Sequence, residues 1–175
     1  RKINEEFYVK TLGMKPLLEE SAFLSLGDQT GLEKLVLEES PSMRTRKVQG
    51  IKKPAKLVVK VVNSLEIEAL LARMESLPQL FKGPNGYAFE IISPQGDLIL
   101  LHAEEDVNDL NKVNEEVVFS DDEEFDYLTE FEISTEIHLP ELTSSLVENQ
   151  DNKNFLIFKQ VQGEDLLVEN NVTWD

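Results

Sequence analysis

The sequence contains no cysteine, only two histidines and a single tryptophan among its 175 residues. The absence of cysteine excludes a disulfide framework, a thiolate metal site and a cysteine nucleophile. No apolar run approaches the ~20 residues that a membrane-spanning helix needs, so we predict no membrane span. No signal peptide is visible in a chain that begins at Arg1. The compartment stays open between the cytoplasm and, because cysteine-free proteins are also common there, the Gram-positive cell surface.

Basic residues are scarce as well: 17 Lys and Arg stand against 34 Asp and Glu, a formal net charge of −17. This excess argues against nucleic acid as a partner, because phosphate binding needs clustered cations. The charge is uneven. Residues 104–151 contain 17 acids and one lysine, whereas residues 40–65 contain seven cations and no acid. The basic stretch is expected to complement the acidic half or form a solvated connection, with an acidic partner as the alternative.

Residues 86–102 predict a β-hairpin. Two strand-length apolar runs flank Ser93-Pro94-Gln95-Gly96. Proline presets φ at the second position of a tight turn, and glycine accepts the sterically difficult last position. Aliphatic and aromatic runs on either side of such a turn are typical of paired antiparallel strands.

The hairpin occurs twice. Residues 22–39 align without a gap to residues 88–105, and 7 of the 18 pairs are identical. The preceding elements repeat too: residues 55–102 predict strand, helix, weak strand and two good strands, and residues 4–37 predict the same order without the first strand. Adjacent βαβββ units that cannot each bury their own apolar face should pack together.

Local signals place the remaining elements. A helix is predicted from Asn4, as N-cap, to Gly13, and an irregular edge strand over residues 15–18. A second helix is predicted from Leu65 to about Leu77, with Asn63 and Glu66 at capping-box spacing. Residues 131–139 alternate apolar and polar, as a half-buried strand does. Pro140 is expected to open a short helix over residues 140–146. Residues 154–161 and 165–169 predict a hairpin, and residues 172–175 predict the start of another strand.

The predicted fold class is therefore α+β, with three parts. Residues 1–105 form a paired βαβββ domain that lacks its first strand. Residues 106–116 form an acidic linker without sustained periodicity. Residues 117–175 form a smaller α+β domain, interpreted as an incomplete third module.

Two stretches carry a resemblance to a known superfamily. Residues 7–14, Phe-Tyr-Val-Lys-Thr-Leu-Gly-Met, resemble the helix signature of the glyoxalase/bleomycin-resistance/dioxygenase (vicinal oxygen chelate) superfamily. Residues 94–99, Pro-Gln-Gly-Asp-Leu-Ile, resemble its Pro-Asp-Gly-Asn hairpin. Within it, the sequence is similar to the streptococcal CppA family, described as proteinases that degrade complement component three. The resemblance implies a glyoxalase-like fold over residues 1–105 and a secreted or cell-surface location.

The resemblance also implies positions for a metal site. Superfamily enzymes hold a divalent cation with His, Gln or Glu, and the matching positions here are Lys34, Lys56 and Leu100. A protonated lysine is a poor ligand and leucine is none, so we expect no metal and no cofactor. The three residues are expected to line the cleft between the modules. The lysines there favour either an anionic ligand or pairing with acids such as Glu90.

No catalytic motif is legible. The sequence has neither a Gly-x-Ser-x-Gly elbow nor a His-Glu-x-x-His helix, so the catalytic residues are unknown, and His102 and His138 are weak candidates that more often serve structure. Three functions stay open: a CppA-type proteinase acting on a host complement protein, a non-catalytic, metal-free module that binds protein or a small molecule, and, disfavoured, a metal-dependent glyoxalase or dioxygenase. A homodimer through exposed module edges is a further expectation.

Overall fold

A computed structural model of the chain describes residues 2–38, 55–120, 124–138 and 157–161. Its fold is α+β, as predicted. The helices are α1 (Lys2–Glu6), which continues as a π-helical segment (Phe7–Thr11), α2 (Ser64–Ala72) and a 3-10 turn (Val107–Asp109). The strands are β1 (Lys15–Glu19), β2 (Phe23–Gly27), β3 (Glu33–Glu38), β4 (Ala55–Val61), β5 (Gln79–Gly83), β6 (Gly86–Ile92), β7 (Leu98–His102), β8 (Asn111–Val113), β9 (Phe131–His138) and β10 (Ile157–Val161). None of the described helices is long and apolar enough to cross a bilayer.

The strands form two sheets. The first has the order β1-β2-β3, and the second has the order β10-β9-β4-β7-β6-β5-β8. In the second sheet, β4 runs parallel to β7 and is followed along the chain by α2. The order β4-α2-β5-β6-β7 is consistent with the glyoxalase-like module that the resemblance implies. The first sheet repeats it as α1-β1-β2-β3.

Both predicted hairpins are present. The Ser93–Gly96 turn closes with a 2.9 Å hydrogen bond, and Gly96 adopts a positive φ of 88° that suits glycine. The cross-strand pairing nevertheless differs between the copies. Leu24 pairs with Leu37, but the residue 66 positions later, Glu90, pairs with Leu100. The register of the first hairpin shifts between Leu26 and Gly27, and equivalent residues of the two hairpins therefore face different partners.

The helix boundaries differ from the prediction in two places. Asn4 lies inside α1, so its assignment as N-cap is wrong. Asn63 does cap α2, accepting a hydrogen bond from the Leu65 amide at 3.0 Å. The helix ends at Ala72, before the predicted end at Leu77. Glu66 turns its carboxylate to Thr129, so only the asparagine half of the predicted capping box is confirmed.

Residues beyond the paired modules join the same sheet. The predicted linker contains the 3-10 turn and β8, and β8 pairs antiparallel with β5. The predicted strand at residues 131–139 is β9, which pairs antiparallel with β4. β10 pairs parallel with β9. The predicted division into a domain, a linker and a second domain stays a prediction, and the predicted elements at residues 140–146 and 165–175 lie outside the described residues.

One hydrophobic core contains residues from both modules. Leu12, Met14 and Leu26 of the first module pack in a cluster with Ile67 and Phe89 of the second. Phe125, Leu128, Phe131 and Ile133 belong to the same cluster. Each sheet therefore shields its apolar face against the other unit, as the repeat argument requires.

Tyr8 reports on this module contact. Its side chain is buried, and burial, with a smaller contribution from the charge of Asp97, raises the pKa of Tyr8 to about 12, while a hydrogen bond with Ser93 opposes the shift. Ser93 and Asp97 belong to the β6–β7 turn of the other module. The phenol in the π-helical segment thus lies against the second hairpin.

We expect this burial to make stability fall at alkaline pH. The folded protein keeps the phenol proton where the unfolded chain, with the ordinary pKa of 10.0, has lost it. The contribution is therefore present below pH 10 and is lost as the pH rises towards 12. Urea unfolding at several pH values in this range measures the effect. From pH 10 to pH 12, the free energy of unfolding should fall further for wild type than for Tyr8→Phe, by up to roughly 2–3 kcal/mol. Equal losses for the two proteins would show that the phenol is solvated.

Candidate functional site

A strap, residues 124–130, connects the two modules before β9 begins. Leu128 is completely buried. Its amide donates to the Gly13 carbonyl at 2.8 Å, and its carbonyl accepts from the Gln29 amide at 3.1 Å. Gln29 also donates from its side chain to the Tyr127 carbonyl at 2.9 Å. The strap is thus bound to the helix end and to the β2–β3 loop of the first module.

A buried ion pair holds the end of the strap. Lys34 Nζ lies 3.7 Å from Asp28 Oδ2, and both side chains are almost fully buried. Asp28 accepts the Phe131 amide at 2.9 Å, and Lys34 donates to the Phe131 carbonyl at 2.9 Å. The pair therefore clamps both polar groups of one residue at the start of β9. The hydrogen bonds offset part of the cost of burying the two charges.

The second module holds the strap through Glu66. Its carboxylate accepts the Thr129 amide at 2.7 Å and the Thr129 hydroxyl at 3.0 Å. A small cavity of about 180 Å³ lies beside this contact, lined by Gln29, Glu124, Phe125 and neighbouring residues. Because its polar walls come from both modules and the strap, this cavity belongs to the junction.

Lys34, Lys56 and Leu100, the predicted cleft residues, do not meet at one point. Lys56 forms an ion pair with Glu90 at 3.0 Å, and Glu90 pairs across the strands with Leu100. These residues share the sheet face opposite α2. Lys34 instead reaches Phe131, which pairs with Val61 at the other end of β4. The two lysines are therefore separated by about 16 Å along the strand direction.

These residues do not fit a superfamily-type metal site. A protonated ammonium group only donates hydrogen bonds, and both lysines lie beside a carboxylate. Lys56 pairs with Glu90, one of the two alternatives that the sequence left open. Among the residues that the structure describes, no group of three or more His, Cys, Asp or Glu side chains could hold a metal ion. We therefore derive no chemistry through a metal.

The two histidines lie at opposite ends of β4. His102 pairs with Lys60, whereas Ile137, next to His138, pairs with Ala55. About 16 Å along the strand separates these two pairs. The buried His102 ring accepts the Glu104 amide at Nδ1, at 3.0 Å. This bond places the proton of a neutral ring on Nε2 and occupies the lone pair of Nδ1, so a proton-accepting role does not suit that nitrogen.

A larger cleft lies at the β5–β8 corner of the seven-stranded sheet. The chain that enters β5 and the chain that leaves β8 border an open, shallow cleft of about 610 Å³ there. Residues 77–80 form one wall and residues 113–118 form the other. We call this cleft the β8 groove. A concave site of this volume lies within the range of pockets that bind ligands or segments of chain.

Comparison with known proteins identifies the family to which the chain belongs. The model of the CppA N-terminal family matches residues 1–113, well over half of the chain. The chain belongs to the CppA family. A crystal structure of the CppA protein from Streptococcus pneumoniae TIGR4 is 59% identical to it, with a TM-score of 0.81. The match covers 100% of this chain and 74% of that one. No curated protein sequence matches the chain.

Sequence reasoning missed the groove and the strap of this CppA chain. The acidic run over residues 104–130 contains isolated apolar residues, among them Phe125 and Leu128. These apolar residues are the signal in the sequence that could have indicated a buried strap. A single apolar residue among acids defines no period, so it does not reveal its partner. The pairing of Asp28 with Phe131 spans 103 residues and has no local signature.

Proposed function

We propose that this CppA chain is a host-interaction protein that binds polypeptide, with complement component three as its partner. One observation carries the binding proposal: the open β8 groove of about 610 Å³, which is bordered by residues 77–80 and 113–118. The CppA family resemblance supplies the partner. Exposed apolar side chains bordered by polar residues mark sites of protein–protein interaction.

Proteolysis of the bound protein is the second candidate, and only the CppA resemblance favours it. The geometry of His102 does not support a base role at Nδ1, because a backbone amide already occupies that nitrogen. His138, at the end of β9, is then the histidine to test first.

The two functions separate in one experiment. Purified protein is passed over immobilised complement component three, and the same proteins are incubated together with and without EDTA or serine-protease inhibitors. We expect saturable binding and an intact substrate. Absence of binding would refute the proposal. Cleavage by wild type that His102→Ala retains and His138→Ala loses would replace it with proteolysis.

A further inference from the structure

We propose that the β8 groove binds an extended polypeptide segment in which apolar residues alternate with lysine or arginine. This inference rests on the proposed function and specifies where the partner is held and which chemistry it presents.

The groove has a fixed framework. Val113 pairs with Leu80 where the two walls meet, and the Gln79 side-chain amide donates to the carbonyls of Leu80 and Val113, at 3.0 and 3.4 Å. Further along the second wall, the Phe119 ring packs edge-on against Tyr87, with centroids 5.1 Å apart. Residues 114–118 are thus held at both ends, by Val113 and by Phe119. This wall therefore loses little conformational freedom when a segment binds.

Both walls expose apolar side chains. Val118 is 96% exposed on one wall and Leu77 is 42% exposed on the other. Scattered exposed apolar residues are normal on a protein surface. These two line the same cleft, where one inserted segment would cover both. Burial of their apolar surface favours a partner that brings apolar side chains.

The negative charge of the groove favours cationic residues at the other positions of the bound segment. Glu115 and Glu116 are exposed along the second wall, and neither wall contains a lysine or arginine. Cationic side chains thus complement this surface and speed association. In an extended strand, successive side chains point to opposite sides, so one segment can place apolar residues in the cleft and cations towards the carboxylates.

The test uses two fluorescein-labelled peptides, Lys-Val-Lys-Leu-Lys-Val-Lys and the same peptide with glutamate in place of every lysine. Fluorescence anisotropy at low salt should detect binding of the lysine-containing peptide and no binding of the glutamate-containing peptide. We expect Glu115→Lys/Glu116→Lys, and separately Val118→Asp, to weaken that binding about tenfold or more. These side chains are exposed, so the variants should fold like wild type.

Matched controls separate the groove from the general acidity of the protein. Asp126→Lys/Glu130→Lys makes the same change in net charge on exposed residues of the strap, and Ile92→Asp places an acid at another exposed apolar residue. Both controls should bind like wild type. Equal weakening by the matched charge variants, or no binding of the cationic peptide, would overturn the inference. Self-association lost in the groove variants would make a second copy the occupant and would also overturn it.

The inference and the proposed function can fail separately. If complement component three binds wild type and both groove variants equally, the groove inference is wrong while the proposed function stands. If the peptide binds in the groove but complement component three does not bind, the proposed function is wrong.

Discussion

Lys34→Met is expected to lower the free energy of unfolding by about 3–5 kcal/mol, one of the two largest effects that we anticipate for a single substitution. Methionine retains the apolar stem of the side chain but removes the ammonium group. Asp28 would then be an unpaired charge in a completely buried position. The Phe131 carbonyl would also lose the donor that lies 2.9 Å away.

Two control variants test whether burial of the ion pair causes the loss of stability in Lys34→Met. Lys10→Met removes a lysine whose partner, Glu6, lies 3.9 Å away with both side chains largely exposed, so its unfolding curve should match wild type. Asp28→Asn combined with Lys34→Met leaves no unpaired charge and should recover part of the loss. Urea unfolding followed by circular dichroism measures all of these proteins. If Lys34→Met has no larger effect than Lys10→Met, the clamp around Phe131 does not exist as described.

Leu128→Ala is expected to lower the free energy of unfolding by about 2–5 kcal/mol, because it removes a completely buried side chain from the junction of both modules and leaves a cavity. The backbone bonds of Leu128 to Gly13 and Gln29 do not depend on its side chain, so the effect measures packing. Leu18→Ala is the control, since Leu18 in the edge strand β1 is half exposed. Urea unfolding compares the proteins. A loss no larger than that of Leu18→Ala would mean that the strap adds little to the core.

The repeated hairpins were predictable because their signal is local. In the second hairpin, two apolar runs around a proline and a glycine specify strand, turn and strand within a few residues, and β6 and β7 begin and end close to where the pattern places them. The pairing register of the first hairpin was not predictable from the alignment. Its irregularity beside Gly27 depends on close packing, since a Cβ there would lie 2.2 Å from the Leu32 carbonyl oxygen.

The candidate site was less predictable, since its parts are distant in sequence. Two runs about 35 residues apart, 77–80 and 113–118, enclose the β8 groove only because β8 pairs with β5. Pairing of Lys56 with Glu90 could be anticipated, because both side chains were expected near the same cleft. The burial of Lys34 could not, because its partner Phe131 lies 97 residues away.

The most direct test of the central claim is amide hydrogen exchange of the wild-type protein with and without the lysine-containing peptide. The claim is that the strap closes the module junction and leaves the β8 groove as the surface that takes up a polypeptide. We expect slower exchange on binding at residues 77–80 and 113–118, with the strap protected equally in both states. Protection confined instead to the sheet face that bears Lys56 and Glu90 would contradict the claim.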